Sequence, residues 1–214
     1  MPPTNNQQPT KLMSKIKIIQ EGESYTFRSY FEMSYETDEI LAELGYSLIR
    51  GKLAIPQTDK PINIIAELQQ RIEDTLPFIS LSSEAARRET LVAPVLLEVV
   101  RYCQCQLRIE YPLKVNNWLK GNLDYLLKSS QSLIVVEAKN DDLSRGFTQL
   151  AVELIALSQV EEKDWLYGVI TLGDLWKFAR LDRKKQEIFQ DVDSFRVPKD
   201  LAELMGALIG ILEL

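Results

Sequence analysis

GNLDYLLKSSQSLIVVEAKN, residues Gly121–Asn140, reads as two short strands joined by a polar turn. Three ionisable residues interrupt an apolar background: Asp124 on the first strand, Glu137 and Lys139 on the second. Side chains alternate across a strand, so Glu137 and Lys139 share a face with Leu133 and Val135, and Ile134, Val136 and Ala138 take the other. Both faces are largely apolar, which predicts a strand buried on both sides. A charged pair at the end of such a strand is costly and wants a reason.

The turn sharpens the point. A loop of two residues, Ser130-Gln131, or of four, Ser129–Ser132, sets Asp124 directly opposite Glu137. Facing residues hold their Cβ atoms about 4.5–5.5 Å apart, so two carboxylates there repel. They make poor fold stabilisers but good ligands of a shared hard cation, and oxygen donors suit Mg²⁺. The plainer alternative is an Asp at a solvated strand start and a Glu–Lys pair at a solvated strand end. The metal reading carries a condition: a loop of odd length would send the two acids to opposite faces.

Working outward, 214 residues with 45% hydrophobic and 26% charged content suit one globular domain, or one with an elaboration. No apolar run approaches the roughly 18 residues of a membrane helix, so no membrane partner is expected. Residues 1–14 begin with the polar, Pro-containing MPPTNNQQPT, which lacks the apolar core of a signal peptide and is expected to be a disordered tail. A cytoplasmic location follows by default. The net charge of −6 argues mildly against an extended nucleic-acid surface, although an acidic metal pocket would itself lower the total. Histidine is absent. That removes Ser-His-Asp triads, His-ligated zinc and His general bases. Cys103 and Cys105 are too few for structural zinc and do not form a Cys-x-x-Cys pair, so free thiols are expected.

Residues 15–81 read as an N-terminal αβ elaboration. Tyr25–Met33 is aromatic and β-prone, Glu36–Leu44 has helical spacing with Thr37 as N-cap, and Tyr46–Ile55 reads as a strand. Ile62–Leu76 is an amphipathic helix ended by Pro77. Ser82 and Ser83 can cap a further helix with Glu84 in its first turn, and Pro94 is expected to kink or break it. Gln106–Val115 is a strand ending at Asn116-Asn117. Beyond the central hairpin, Asp141-Asp142 cap a helix to about Gln159, on which Gln149 and Glu153 share a face. Asp164–Leu172 and Leu175–Leu181 form a hairpin around Gly173-Asp174. Lys184–Phe189 is expected as an edge strand, and Lys199–Leu212 as a last helix, apolar all round.

An acid on a helix, an Asp on a strand, Glu-x-Lys on the next strand and a Gln on the following helix occur in that order over 82–214. This set resembles the PD-(D/E)XK superfamily of restriction endonuclease-like nucleases, with twelve residues between Asp124 and Glu137. Ser83-Glu84-Ala85, Arg88 and Pro94-Val95-Leu96, together with Gly168-Val169-Ile170-Thr171, Gly173 and Trp176, resemble motifs of a small stand-alone branch related to the nuclease domain of type I restriction subunits. Leu123 replaces the Pro of the signature, which carries no chemistry. The resemblance implies an α/β fold with a restriction endonuclease-like core in 82–214, a mixed central sheet flanked by helices. It implies that Asp124, Glu137, the carbonyl of Ala138 and Glu84 hold Mg²⁺, or Mn²⁺ in its place. Lys139 would orient or deprotonate the attacking water, and Gln149 would sit beside it. Glu98 is the rival to Glu84 as the helix acid, and the motif places Glu84 ahead.

The expected activity is Mg²⁺-dependent hydrolysis of phosphodiester bonds in nucleic acid, DNA ahead of RNA. Two alternatives stand beside it: a non-catalytic module of nuclease fold acting with a partner protein, and an acidic adaptor with an accidental Glu-x-Lys. The apolar last helix could pair with another subunit, and a homodimer would bring two sites together for cutting two strands.

Overall fold

A computed structural model describes residues 17–214; the tail expected over 1–14 lies outside the described residues. In chain order the elements are helices α1 (Phe27–Glu32) and α2 (Thr37–Glu43), strand β1 (Ser47–Gly51), and helices α3 (Ile65–Thr75), α4 (Glu84–Arg87) and α5 (Ala93–Cys103). Strands β2 (Gln106–Lys114), β3 (Lys120–Lys128) and β4 (Leu133–Ala138) follow, then helix α6 (Leu143–Ser158). Strands β5 (Trp165–Thr171), β6 (Leu175–Asp182), β7 (Glu187–Asp191) and β8 (Phe195–Arg196) and helix α7 (Leu201–Leu212) complete the chain.

The strands form one eight-stranded sheet ordered β1-β7-β6-β5-β4-β3-β2, with β8 beside β6. The β1–β7 and β4–β5 pairs are parallel and the others antiparallel. This is an α/β architecture with a mixed central sheet flanked by helices, as expected for a restriction endonuclease-like core. One face packs against α3, α5 and α7 through Tyr125, Leu127, Ile134, Val136 and Ala138. The other packs against α1, α2 and α6 through Leu123, Leu126, Leu133 and Val135. All six residues of β4 are buried, so the expected alternation between two apolar faces holds.

The hairpin loop is the four-residue Ser129–Ser132, closed by the Ser129 N–H donating to the Ser132 carbonyl at 2.9 Å. Tyr125 pairs with Val136 and Lys128 with Leu133, the register that sets Asp124 opposite Glu137.

Several expectations are corrected. Tyr25–Met33 is not a strand but contains α1: Phe27 and Tyr30 are buried one turn apart, and the Thr26 N–H donates to Ser29 Oγ at 3.0 Å at the helix start. The aromatic content suggested β structure, but the spacing of the buried pair is helical. Glu36, not Thr37, caps α2; Thr37 is already inside the helix, buried, with its hydroxyl 2.7 Å from that of Thr148. Pro94 does not break its helix. A π-helical turn, Arg88–Val92, joins α4 to α5, and Pro94 falls in the first turn of α5, where a missing N–H is tolerated. The strand expected as an edge over Lys184–Phe189 is observed as β7 and is no edge, because β1 covers it in parallel register. Finally, α7 is buried by its own chain, against α3, α5, β4 and β8, so its composition is explained without a second subunit. Cys103 and Cys105 are free thiols, as expected.

Candidate active site

Glu137 and Lys139 stand at the C-terminal end of β4, Asp124 on β3, Glu84 at the first residue of α4, and Gln149 on the sheet-facing side of α6. All five line one cavity of about 320 Å³. Ser83 starts α4 by accepting the Ala86 N–H at 3.1 Å, which fixes Glu84 in the first turn. Asp142 starts α6 the same way, through the Arg145 N–H at 3.0 Å. Glu98 is elsewhere, bonded to Arg101 at 2.9 Å and near Arg71 at 3.8 Å. Of the two helix acids, the fold brings Glu84 to the cavity.

The contacts are short and mutual. One oxygen of Glu137 accepts from Lys139 Nζ at 2.5 Å and from Gln149 Nε2 at 2.6 Å. Gln149 Nε2 also donates to Glu153 at 2.9 Å. Asp124 Oδ2 accepts the Ala138 N–H at 2.9 Å, which ties the two strands together at the site. Glu137 is 1% exposed, and its other oxygen, Oε2, is buried with no hydrogen-bond donor. Gln149 Oε1 and Glu153 Oε2 beside it, and Glu98 Oε2 away from the site, also lack a hydrogen-bond partner; a bare buried oxygen of this kind calls for a proton, a water or a cation.

Electrostatics follow from this crowding. Burial, and then the charge of Asp124, push the Glu137 carboxyl up to about 8 against the opposing pull of Lys139. Burial also raises Asp124, although the Ala138 N–H and Arg88 pull it back. Burial alone would lower Lys139, but the facing Glu137 and Asp124 outweigh it, so the ammonium is held charged. Glu153, fully buried behind Gln149, is driven well up by burial and by Glu137.

The glycine–threonine–tryptophan hairpin supports the site rather than entering it. Gly173, at φ +87°, donates to Thr171 Oγ1 at 2.8 Å, and Trp176 Nε1 donates to the Gly173 carbonyl at 2.7 Å. Arg87 donates to the Leu172 carbonyl at 2.8 Å, pinning this turn to α4. The Thr171 carbonyl accepts the Lys139 N–H at 2.8 Å, so the turn and the lysine backbone are coupled. Gly146 lets α6 approach the lysine stem: a Cβ there would lie 3.0 Å from Lys139 Cγ and 2.7 Å from Ile170 Cδ1.

Reading the sequence missed several pocket residues. Arg88, noted only as part of a motif, clamps the site: it donates to Glu110 at 2.7 Å and to the Tyr125 hydroxyl at 3.2 Å, and stands 3.5 Å from Asp124. Its spacing of four from Glu84 was the available signal, since such residues share a helix side. Glu110 comes from β2 at φ +51°, between the pairs Ile109–Tyr125 and Tyr111–Leu123, which puts it opposite Asp124. Arg28 and Phe31 of α1 also line the cavity.

Among the described residues, no three Asp, Glu, Cys or His side chains form a ready metal cluster. Two carboxylates nevertheless fit Mg²⁺, which keeps several waters and is held by one or two protein carboxylates. The unsatisfied oxygen of Glu137, a residue that the strand register sets opposite Asp124, supports the fit.

Fold and pocket together define a mixed-sheet α/β protein with a buried two-carboxylate and lysine centre at the end of its middle strands. No family model matches the chain. It is similar to Crinkler effector protein 5 of Phytophthora infestans, 22% identical over 207 residues that cover 92% of this chain and 58% of that protein. The chain thus spans little more than half the length of that relative. It is also similar to a chain in the cryo-electron microscopy structure of a DrdV–DNA complex, with a TM-score of 0.42 and 17% identity over 72% of this chain and 14% of that one.

Proposed function

We propose that this protein is a metal-dependent nuclease that hydrolyses phosphodiester bonds, with DNA ahead of RNA as substrate. The observation that carries the reading is the convergence of Asp124, Glu137, Lys139, Glu84 and Gln149 on one cavity in which a buried Glu137 oxygen lacks a donor. Asp124, Glu137, the carbonyl of Ala138 and Glu84 are the groups that would hold Mg²⁺ or Mn²⁺. Such an ion supplies positive charge to phosphoryl oxygens and lowers the pKa of a bound water.

The chain's own groups divide the rest of the work. Lys139 is held charged, so it acts as a donor, orienting the attacking water and stabilising charge on the phosphoryl oxygens. Gln149 fixes the Glu137 carboxylate through one amide hydrogen and ties it to Glu153 through the other. Arg88 holds Asp124 and Glu110 in place and keeps positive charge at the pocket wall.

The test is nicking of supercoiled plasmid in Mg²⁺ or Mn²⁺, expected for the wild type and lost in Asp124→Ala and Lys139→Ala. Nicking that survives both substitutions would sink the assignment. A second reading, a non-catalytic module acting with a partner protein, is favoured by the 2.5 Å Lys139–Glu137 pair, which partly neutralises the centre on its own, and by the net charge of −6. Calorimetric titration separates the two: the nuclease reading needs Mg²⁺ or Mn²⁺ binding that disappears in Glu137→Gln.

A further inference from the structure

The residues read as the nuclease core supply only part of the pocket wall; α1 supplies another part. Its faces divide cleanly. Phe27 and Tyr30 are buried, Phe27 so close to Gly121 that a Cβ there would lie 2.7 Å from the ring, and Tyr30 donating its hydroxyl to the Trp118 carbonyl at 2.9 Å. These contacts anchor α1 to β3 and the turn before it. Arg28 and Phe31 are left to line the cavity.

Phe31 sits against the lysine. Lys139 Nζ lies over its ring, 5.3 Å from the centroid, and the Lys139 side chain is only 13% exposed. The ammonium is therefore held between the Glu137 carboxylate and an aromatic face in a partly desolvated setting, where cation–π attraction is strongest. Arg28 is different. Its side chain is 82% exposed, and its partner is Glu32 on the same helix at 3.0 Å. An exposed pair of that kind is weak, so the guanidinium can exchange it for a phosphate, which it grips in two-pronged fashion.

We propose that α1 belongs to the working pocket: Phe31 positions Lys139, and Arg28 receives a phosphate adjoining the one that is cut. The proposal rests on the nuclease reading above.

The experiment pairs steady-state cleavage of an oligonucleotide and of bis(4-nitrophenyl) phosphate with oligonucleotide binding in Ca²⁺, followed by fluorescence anisotropy over a salt series. Phe31→Leu keeps the bulk and removes the ring; it should lower kcat roughly tenfold with KM unchanged, and Phe31→Trp should restore it. Arg28→Ala should weaken oligonucleotide binding and reduce the slope of log affinity against log salt by about 0.7–0.9. Its loss on the oligonucleotide should exceed its loss on the small diester by roughly tenfold. An unchanged kcat in Phe31→Leu, or an unchanged salt slope in Arg28→Ala, overturns the corresponding half while wild-type cleavage leaves the nuclease reading standing. A wild type that neither binds nor cuts removes both. If Phe31→Leu fails to fold, Phe31→Met takes its place in the same assay, and an unchanged kcat there overturns the Phe31 half.

Discussion

Glu137→Gln separates what the site costs the fold from what it does. In the protein without metal, Glu137 titrates near 8 rather than at its ordinary 4.5, because it is buried and faces Asp124. A carboxyl raised in this way binds more protons folded than unfolded between those two values. Its contribution is therefore most favourable below about 4.5 and is lost as the pH climbs toward 8. At about 1.36 kcal/mol per pKa unit, the cost of holding Glu137 protonated near pH 7 is ~3 kcal/mol, a figure that already carries the push of Asp124 and the pull of Lys139. Substitution by Gln removes that cost, for a gain of up to ~3 kcal/mol, roughly 6–12 °C in Tm for a chain of this length. Differential scanning fluorimetry in EDTA at about pH 7.5 should thus show the variant melting above the wild type, and the gap should close as the pH falls toward about 5. Adding Mg²⁺ should raise the wild-type Tm and leave the variant unmoved. A variant that melts below the wild type in EDTA refutes the claim that the buried Glu137 carboxyl is a net burden. Equal Mg²⁺ stabilisation of both proteins removes Glu137 from the ligand set.

Glu84→Gln should reduce nicking at least tenfold, whereas Glu98→Gln, whose ion-pair partners are Arg71 and Arg101, should leave nicking intact; a loss in Glu98→Gln alone would reverse the choice of helix acid. Gln149→Leu leaves the carboxyls of Glu137 and Glu153 without their shared donor and should destabilise the fold by ~1–3 kcal/mol in chemical denaturation. Gly146→Ala drives a Cβ against Ile170 and the Lys139 stem, for ~1–3 kcal/mol of overpacking together with a fall in kcat. Lys139 has its pKa raised in the fold, so the stability it adds is complete below its ordinary 10.5 and is lost as the pH rises past its folded value. A Lys139→Met variant should flatten that alkaline loss in a pH series of urea unfolding.

Local chemistry carried much of the reading. The alternation of Leu133–Ala138 and the polar Ser129–Ser132 turn are short-range features, and both depend only on neighbours along the chain; the register that sets Asp124 opposite Glu137 follows from them. Helix starts at Ser83 and Asp142 were legible for the same reason, since a side chain capping an N–H three residues on is a local event. The order acid, Asp, Glu-x-Lys, Gln named five residues of the cavity, Glu84, Asp124, Glu137, Lys139 and Gln149; Asn140 and Asp141, which also line it, follow Lys139 directly in the chain, and Arg88 was signalled only by its spacing from Glu84. Glu110, Phe31 and Arg28 belong to a second group. Their roles depend on β2 lying beside β3 and on α1 docking at the edge of the pocket, and neither is encoded in any window of sequence. The same holds for β1, whose pairing with β7 joins residues well over a hundred positions apart. It holds too for α1, where aromatic composition pointed to a strand until burial of Phe27 and Tyr30 selected a helix. The unsatisfied oxygen of Glu137 is the clearest case. Whether a buried carboxylate finds its donors depends on how three elements pack around it, and only the assembled fold decides that.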